Sequence, residues 1–147
     1  MDRILFYGVK DAHGELSNFA PFPIRLKDRR WPTSEHYFQA QKFAGTAHEE
    51  EIRRAASPMI AARMGRSRQR PLRKDWEGVK DQIMLEALRA KFDQHPELRE
   101  KLLGTGEAEL VEHTKNDRYW ADGGDGTGLN RLGNLLMQVR SELRAST

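Results

Sequence analysis

Cysteine is absent from the 147-residue chain. That excludes disulfides, a thiol nucleophile, Cys-ligated zinc and iron–sulfur clusters. No apolar run is long enough to cross a bilayer. The opening Met1-Asp2-Arg3-Ile4 lacks the basic, apolar and small-residue layout of a signal peptide. Internal repeats and low-complexity tracts are also missing. These absences lead to the expectation of a soluble cytoplasmic protein. The length fits a single domain over residues 1–147, since domains run to about 100–200 residues. A chain of this size buries roughly two thirds of its unfolded surface, enough for a core without covalent staples.

What is present is charge. Charged residues make up 32% of the chain and hydrophobic residues 37%, so the surface must be densely charged. The net charge is only +3, from 25 Lys and Arg against 22 Asp and Glu. The layout is uneven, because the stretch Arg63 to Lys74 (R-M-G-R-S-R-Q-R-P-L-R-K) holds six basic residues and no acid. Such a block suits phosphate, nucleic acid or an acidic partner, and it equally suits a solvated loop. No groove-reading motif accompanies it.

The pattern predicts an α+β fold, predominantly helical, with a few short strands. Apolar runs predict strands at Ile4–Tyr7, Ile24–Leu26 and Leu110-Val111, with Lys27-Asp28-Arg29-Arg30 as a turn. Pro32-Thr33-Ser34-Glu35 starts a helix that runs to about Ala44 before Gly45. Further helices are expected over about His48–Ala56, from Ser57-Pro58 to a stop at Gly65, over Trp76–Asp93 after an Asp75 cap, and from Pro96 to Gly104. The last helix, about Leu129–Leu143, carries Leu129, Leu132, Leu136, Val139 and Leu143 on one stripe. Strands and helices do not alternate as they would in a doubly wound sheet.

Three places carry side chains beyond what a core needs. In W-P-T-S-E-H-Y-F-Q-A-Q-K-F, residues Glu35, Phe38, Gln39 and Lys42 fall at i, i+3, i+4 and i+7 on one helix face. The aromatic residues around that helix predict its burial, and a buried carboxylate needs a partner or a task. Glu35 is therefore a helix-end cap or ion-pair member, or a catalytic group. Trp76 and Lys80 share a face one turn apart. They read as a core Trp beside a surface cation, or as a stacking platform beside a phosphate ligand. The stretch Glu112–Asn130 is rich in acids, aromatics and glycine, and it leads into a helix N-terminus suited to an anion. It has no P-loop lysine, and Asp122 and Asp125 break the EF-hand spacing. His36, His95 and His113 have no metal-ligand spacing, so no metal site is expected. Together these features suit a pocket for a phosphorylated sugar joined to a flat base.

Long stretches of the chain resemble one family. L-S-N-F-A-P-F-P-I, W-P-T-S-E-H-Y-F-Q-A-Q-K-F, S-P-M-I-A-A-R-M-G-R, P-L-R-K-D-W, A-L-R-A-K-F, L-V-E-H-T-K-N-D-R-Y-W and G-L-N-R-L-G-N-L-L-M are similar to the YbiA-like, or NADAR, family from about Leu5 to Leu143. The resemblance implies a single YbiA-like domain and an N-glycosidase. YbiA-type members hydrolyse the N-glycosidic bond of phosphoribosylamino-pyrimidines, reactive early intermediates of riboflavin biosynthesis. Other members remove ADP-ribose from guanine in nucleic acid. A non-catalytic module that binds ADP-ribose or a nucleotide is a further alternative.

The family's acidic site residue falls on Glu35, its D-W tryptophan on Trp76, and its N-D-x-Y-W acid and tryptophan on Asp117 and Trp120. On that basis Glu35 and Asp117 are the catalytic candidates. Trp76 and Trp120 are expected to sandwich the base. Lys42, Lys80 and arginines of the basic block are candidates for the phosphate, and Asn18 and Asp122 join the substrate-binding set. The expected partner is a small-molecule phosphorylated ribosylamino-pyrimidine, with nucleic acid only under the second reading and no membrane. The chemistry requires no metal or redox cofactor. One departure is visible: Ala121 follows Trp120 where relatives of this type commonly carry Gly, so the turn before Asp122 is expected to differ.

Overall fold

The computed structural model describes residues 2–146, in two compact units. The first comprises residues 2–20 and 92–146, and the second residues 21–91. The expected predominantly helical α+β class is observed. No helix among the described residues is long and apolar enough to cross a membrane.

In the first unit, strand β1 (Arg3–Phe6) pairs in parallel with a later strand, Glu109–Glu112, in the register Ile4 to Leu110 and Leu5 to Val111. The intervening helix Pro96–Gly104 starts with proline at its first turn, as expected. The terminal helix Arg131–Ala145 packs on the Glu109–Glu112 strand and buries Leu132, Leu136 and Val139. Its approach is close: a Cβ on Gly133 would lie 2.0 Å from the Leu110 carbonyl oxygen, so only glycine fits there. Asn130 precedes this helix in the left-handed region, at φ 51°. Its Oδ1 accepts from the Glu112 N–H at 3.1 Å, and its Nδ2 donates to the Leu110 carbonyl at 2.9 Å. One side chain thus stands in for a strand beside Glu109–Glu112 and fixes where the helix begins. That point is two residues later than Leu129, which is 60% exposed.

The second unit opens with strands β2 (Ile24–Leu26) and β3 (Arg29–Trp31), paired antiparallel with Ile24 opposite Trp31. The reading of Lys27 to Arg30 as turn alone is corrected here, because Arg29 and Arg30 belong to β3. The turn is the two residues Lys27 and Asp28, both near φ 58–59°. That geometry matches the right-handed twist of the strands and is usually signalled by Asn-Gly. Lys27 reaches from the turn to Glu49 at 2.9 Å and Gln41 at 3.0 Å, which holds the left-handed turn without glycine. Trp31 is fully buried and donates its indole N–H to the Leu26 carbonyl at 2.9 Å.

Three helices follow: α1 (Ser34–Gln41), α2 (Ala47–Arg53) and α3 (Pro58–Arg66). The helix α1 packs against both of the others. It ends at Gln41 rather than Ala44, and the chain turns through to Gly45. The helix α3 has the expected Ser57 cap, whose hydroxyl accepts the Ile60 N–H, with Pro58 after it. The expected stop at Gly65 is corrected, because α3 continues to Arg66 and Gly65 lies inside it. A Cβ at Gly65 would lie 1.9 Å from Gln39 Oε1, so this glycine lets α3 approach α1. The helix α4 (Trp76–Gln94) buries Ile83, Ala87 and Ala90 along one stripe. The carboxylate of Asp75, ahead of it, is held by the Arg73 guanidinium at 2.6 Å.

His36 ties the start of α1 to the end of α2. Thr33 Oγ1 accepts the His36 main-chain N–H at 3.1 Å and donates to Nδ1 at 2.8 Å. Nε2–H then donates to the Ala55 carbonyl at 3.0 Å, an arrangement that the neutral Nε2–H tautomer satisfies. Burial pushes the His36 pKa below its usual 6.5. The unfolded chain therefore binds more protons than the folded one as pH falls through 6.5, and folding loses stability toward acid. Urea unfolding from pH 7 to 5 will show this loss, and His36→Gln will flatten that part of the profile. An unchanged slope in the variant would remove His36 as its source.

Candidate active site

All of α1 is buried, polar side chains included. The helix starts where Thr33 satisfies an otherwise unpaired N–H, which places Glu35 in the first turn, where the helix dipole favours its charge. Glu35 is 7% exposed, and its Oε2 accepts from Gln39 Nε2 at 2.7 Å. One further turn along, Lys42 is also 7% exposed. Its Nζ stands 5.8 Å from the ring centroids of both Phe38 and Trp76. Those two rings are 5.2 Å apart and tilted by 59°. Carboxylate, ammonium and two aromatic walls thus meet within the second unit, on the face that the i, i+4, i+7 spacing predicted.

Lys42 is a buried cation with weak compensation. Among the described residues no carboxylate comes within ion-pairing distance of its Nζ, and its polar contact is the Gly65 carbonyl at 3.5 Å. Arg68 Nη1 donates to that same carbonyl at 2.8 Å. Burial lowers the Lys42 pKa to about 8, and Arg68, Arg66 and Lys80 push it the same way while Glu35 opposes them. Four cations therefore gather around this point. An anionic ligand would relieve the strain of holding them together.

The rest of the basic block is largely engaged. Arg70 lies 3.3 Å from Glu51, and Arg73 pairs with Asp75. Lys80, on α4 one turn after Trp76, contacts Glu77 at 2.7 Å.

The other expected site residues lie in the first unit. Asp117 Oδ1 accepts the main-chain N–H groups of Tyr119 and Trp120, both at 2.8 Å, and so shapes the turn that presents Trp120. Trp120 is half-buried and packs edge-on to Tyr119 at 4.8 Å. Asp122 is buried; its Oδ1 accepts from Thr114 N at 3.2 Å and Gly124 N at 2.8 Å, and its Oδ2 meets His113 Nδ1 at 2.7 Å. These hydrogen bonds outweigh burial and hold its pKa below the usual carboxylate value. Asn18 is buried in the loop after Leu16.

Two expectations for this loop are corrected. Ala121 is fully buried and is not among the residues of positive φ, so the turn before Asp122 makes no demand that alanine resists. The N-terminus of the last helix is not an open anion site. Its Arg131 and Leu132 N–H groups donate to the Tyr119 and Trp120 carbonyls, each at 3.0 Å.

Sequence reasoning placed Gln39 on the right face but gave it no role, and it singled out neither Arg66 nor Arg68 within the basic block. The hydrogen-bond spacing from Glu35 to Gln39 was the available signal for the first. Nothing local distinguishes Arg66 and Arg68 from their basic neighbours. No group of three His, Asp or Glu side chains among the described residues is placed to hold a metal ion.

Comparison with known proteins gives concordant matches. The NADAR domain family matches residues 5–144. The N-glycosidase YbiA of Escherichia coli is 62% identical over 140 residues, covering 95% of this chain and 88% of that one. An NMR structure of the E. coli protein YbiA superimposes with a TM-score of 0.91 at 60% identity, over 99% of this chain and 86% of that one. An N-glycosidase of Nostoc punctiforme is 48% identical over 144 residues, covering 96% of this chain and 92% of its own. A riboflavin biosynthesis protein of Vibrio vulnificus is 44% identical over 141 residues, which cover 96% of this chain and 38% of that longer protein.

Proposed function

The chain belongs to the NADAR family and is an N-glycosidase, and from that premise we propose that its substrates are the phosphoribosylamino-pyrimidine intermediates of riboflavin biosynthesis. The observation that carries this reading is the buried Glu35 and the anion-seeking Lys42 on one face of α1, beside the Trp76 ring. The Vibrio relative, named for riboflavin biosynthesis, supports the choice of base.

In the proposed reaction, water adds to the ribose C1′ while the C1′–N bond breaks. The bonding pair leaves with the nitrogen, which takes up a proton, and the products are ribose 5-phosphate and the free amino-pyrimidine. Glu35 takes the proton from the attacking water, or steadies the positive charge that builds on the sugar. A carboxylate fixed at a buried helix start is already oriented for either task, so no solvent must reorganise around it during the reaction. Trp76, 5% exposed and packed on Phe38, is assigned to the wall of the base site. Lys42, Arg66, Arg68 and Lys80 supply positive charge for the phosphate. From the first unit we assign Asp117 to the ribose hydroxyls or to a share of Glu35's task, Trp120 to stacking on the base, and Asn18 and Asp122 to substrate contact.

A chromatographic turnover assay tests this. Purified protein is given the phosphoribosylamino-pyrimidine and, separately, an ADP-ribosyl-guanine nucleotide. Release of ribose 5-phosphate from the first is the expected result. Release of ADP-ribose from the second alone would overturn the reading and assign the protein to nucleic acid. Binding without turnover of either would make it a reader module.

A further inference from the structure

Only one of the two polar side-chain atoms of Gln39 has a hydrogen-bond partner among the described residues. It is 4% exposed, and its Nε2 donates to Glu35 Oε2 at 2.7 Å. Its Oε1 is buried without a hydrogen-bond partner among the described residues. The orientation of the amide is not arbitrary. A carboxylate oxygen can only accept, so the amide must turn its NH2 toward Glu35 and its carbonyl away. The carbonyl then faces Gly65 of α3, where a Cβ would stand 1.9 Å from Oε1. The fold accordingly leaves a buried acceptor unpaired, a penalty of the kind that proteins usually avoid. It also keeps position 65 free of a side chain so that this amide fits. Both features accompany the N–H that Gln39 donates to Glu35.

We propose that Gln39 is the positioning residue for the Glu35 carboxylate in the N-glycosidase reaction, with Gly65 shaped to seat its amide. The proposal rests on the reading of Glu35 as the catalytic carboxylate. The i, i+4 spacing on α1 aligns the two side chains along one face. The N–H donated to Oε2 restricts the orientation of the carboxylate. The charged groups about this face are Lys42 at the C-cap of α1, Arg66 and Arg68 at and beyond the end of α3, and Lys80 on α4. All four are cations, so Gln39 is the neutral donor that orients Glu35 without adding to that positive charge.

The test compares wild type, Glu35→Gln, Gln39→Leu and Gln39→Glu in steady-state turnover of the phosphoribosylamino-pyrimidine across pH, alongside thermal melting. Gln39→Leu should lower kcat about tenfold or more, with KM within about threefold of wild type. Gln39→Glu places a second carboxylate against Glu35, and such a pair shares a proton. The acid limb of its kcat profile should move up by about one pH unit. A merely structural Gln39 would lower the melting temperature and leave the profile in place. If Glu35→Gln keeps full turnover, the reading of Glu35 falls and this proposal falls with it. If Glu35→Gln is inactive while both Gln39 variants keep the wild-type kcat and pH profile, the positioning role alone is overturned. Should Gln39→Leu fail to fold, the near-isosteric Gln39→Glu decides through its pH profile.

Discussion

Replacing Glu35 by glutamine is expected to lower kcat about a thousandfold while the protein remains folded and binds its substrate. The magnitude follows from the task proposed for Glu35, since a positioned acid or base contributes about 10²–10⁴ in rate. The substitution changes little else. Glutamine has nearly the same shape and still offers an oxygen to the Gln39 amide, which now donates to Glu35 Oε2 at 2.7 Å. It also removes the carboxylate that offsets part of the Lys42 burial, so the melting temperature should fall modestly while the fold is kept. Affinity should change only a few-fold, because the phosphate and base contacts proposed here come from Lys42, its neighbouring cations and Trp76. Single-turnover rates and KM for the phosphoribosylamino-pyrimidine check this. Turnover within tenfold of wild type would remove Glu35 from the chemistry.

This test was legible in the sequence because α1 announces itself locally. Pro32-Thr33-Ser34-Glu35 marks its start, and the Thr33 cap forms as expected. Once the helix is fixed, Glu35, Gln39 and Lys42 must share a face, and the structure places them so. The hairpin was less legible. Its turn uses Lys27-Asp28 at positive φ, held by contacts to Gln41 and Glu49 that lie 14 and 22 residues away. No local rule would select it over a plain turn. Gly65 misled for a similar reason. A glycine that ends a helix and a glycine that admits a neighbouring helix look alike in sequence, and only the contact with Gln39 separates them. The N-terminus of the last helix was suited to an anion by its position alone, yet two carbonyls from the preceding loop already occupy its N–H groups. Long-range contacts decided each of these cases. They also decided the state of Lys42, whose pKa is depressed first by burial and then by Arg68, Arg66 and Lys80 arriving from the loop after α3, from α3 and from α4.

Lys42→Met is expected to separate stability from function. Lys42 ionises at about 8 in the folded protein against 10.5 in its unperturbed state. A folded pKa below the unfolded one means that the folded state holds the proton less well, so the charge opposes folding. The penalty is fully present below pH 8 and is relieved as pH rises from 8 toward 10.5, where the folded chain has lost the proton and the unfolded chain still carries it. Converted at about 1.4 kcal/mol per pH unit, the shift corresponds to about 3 kcal/mol, and attraction to Glu35 already offsets part of the burial within it. Methionine fills the same space beside Phe38 and Trp76 without the charge. The variant should therefore melt above wild type at pH 7, and the gap should close between pH 8 and 10. Tyr37, pushed up to about 12 by burial and by Glu86 and Glu49, stays protonated in the folded chain over this window and does not blur it. Function should move the opposite way. Loss of the central cation should raise KM for the phosphorylated substrate about a hundredfold, with a smaller change for the dephosphorylated nucleoside. In wild type the same KM should climb as pH passes 8 and the ammonium is lost. A variant that melts lower at pH 7, or a KM that rises equally for both substrates, would show that Lys42 is held in place by the fold rather than kept for an anion.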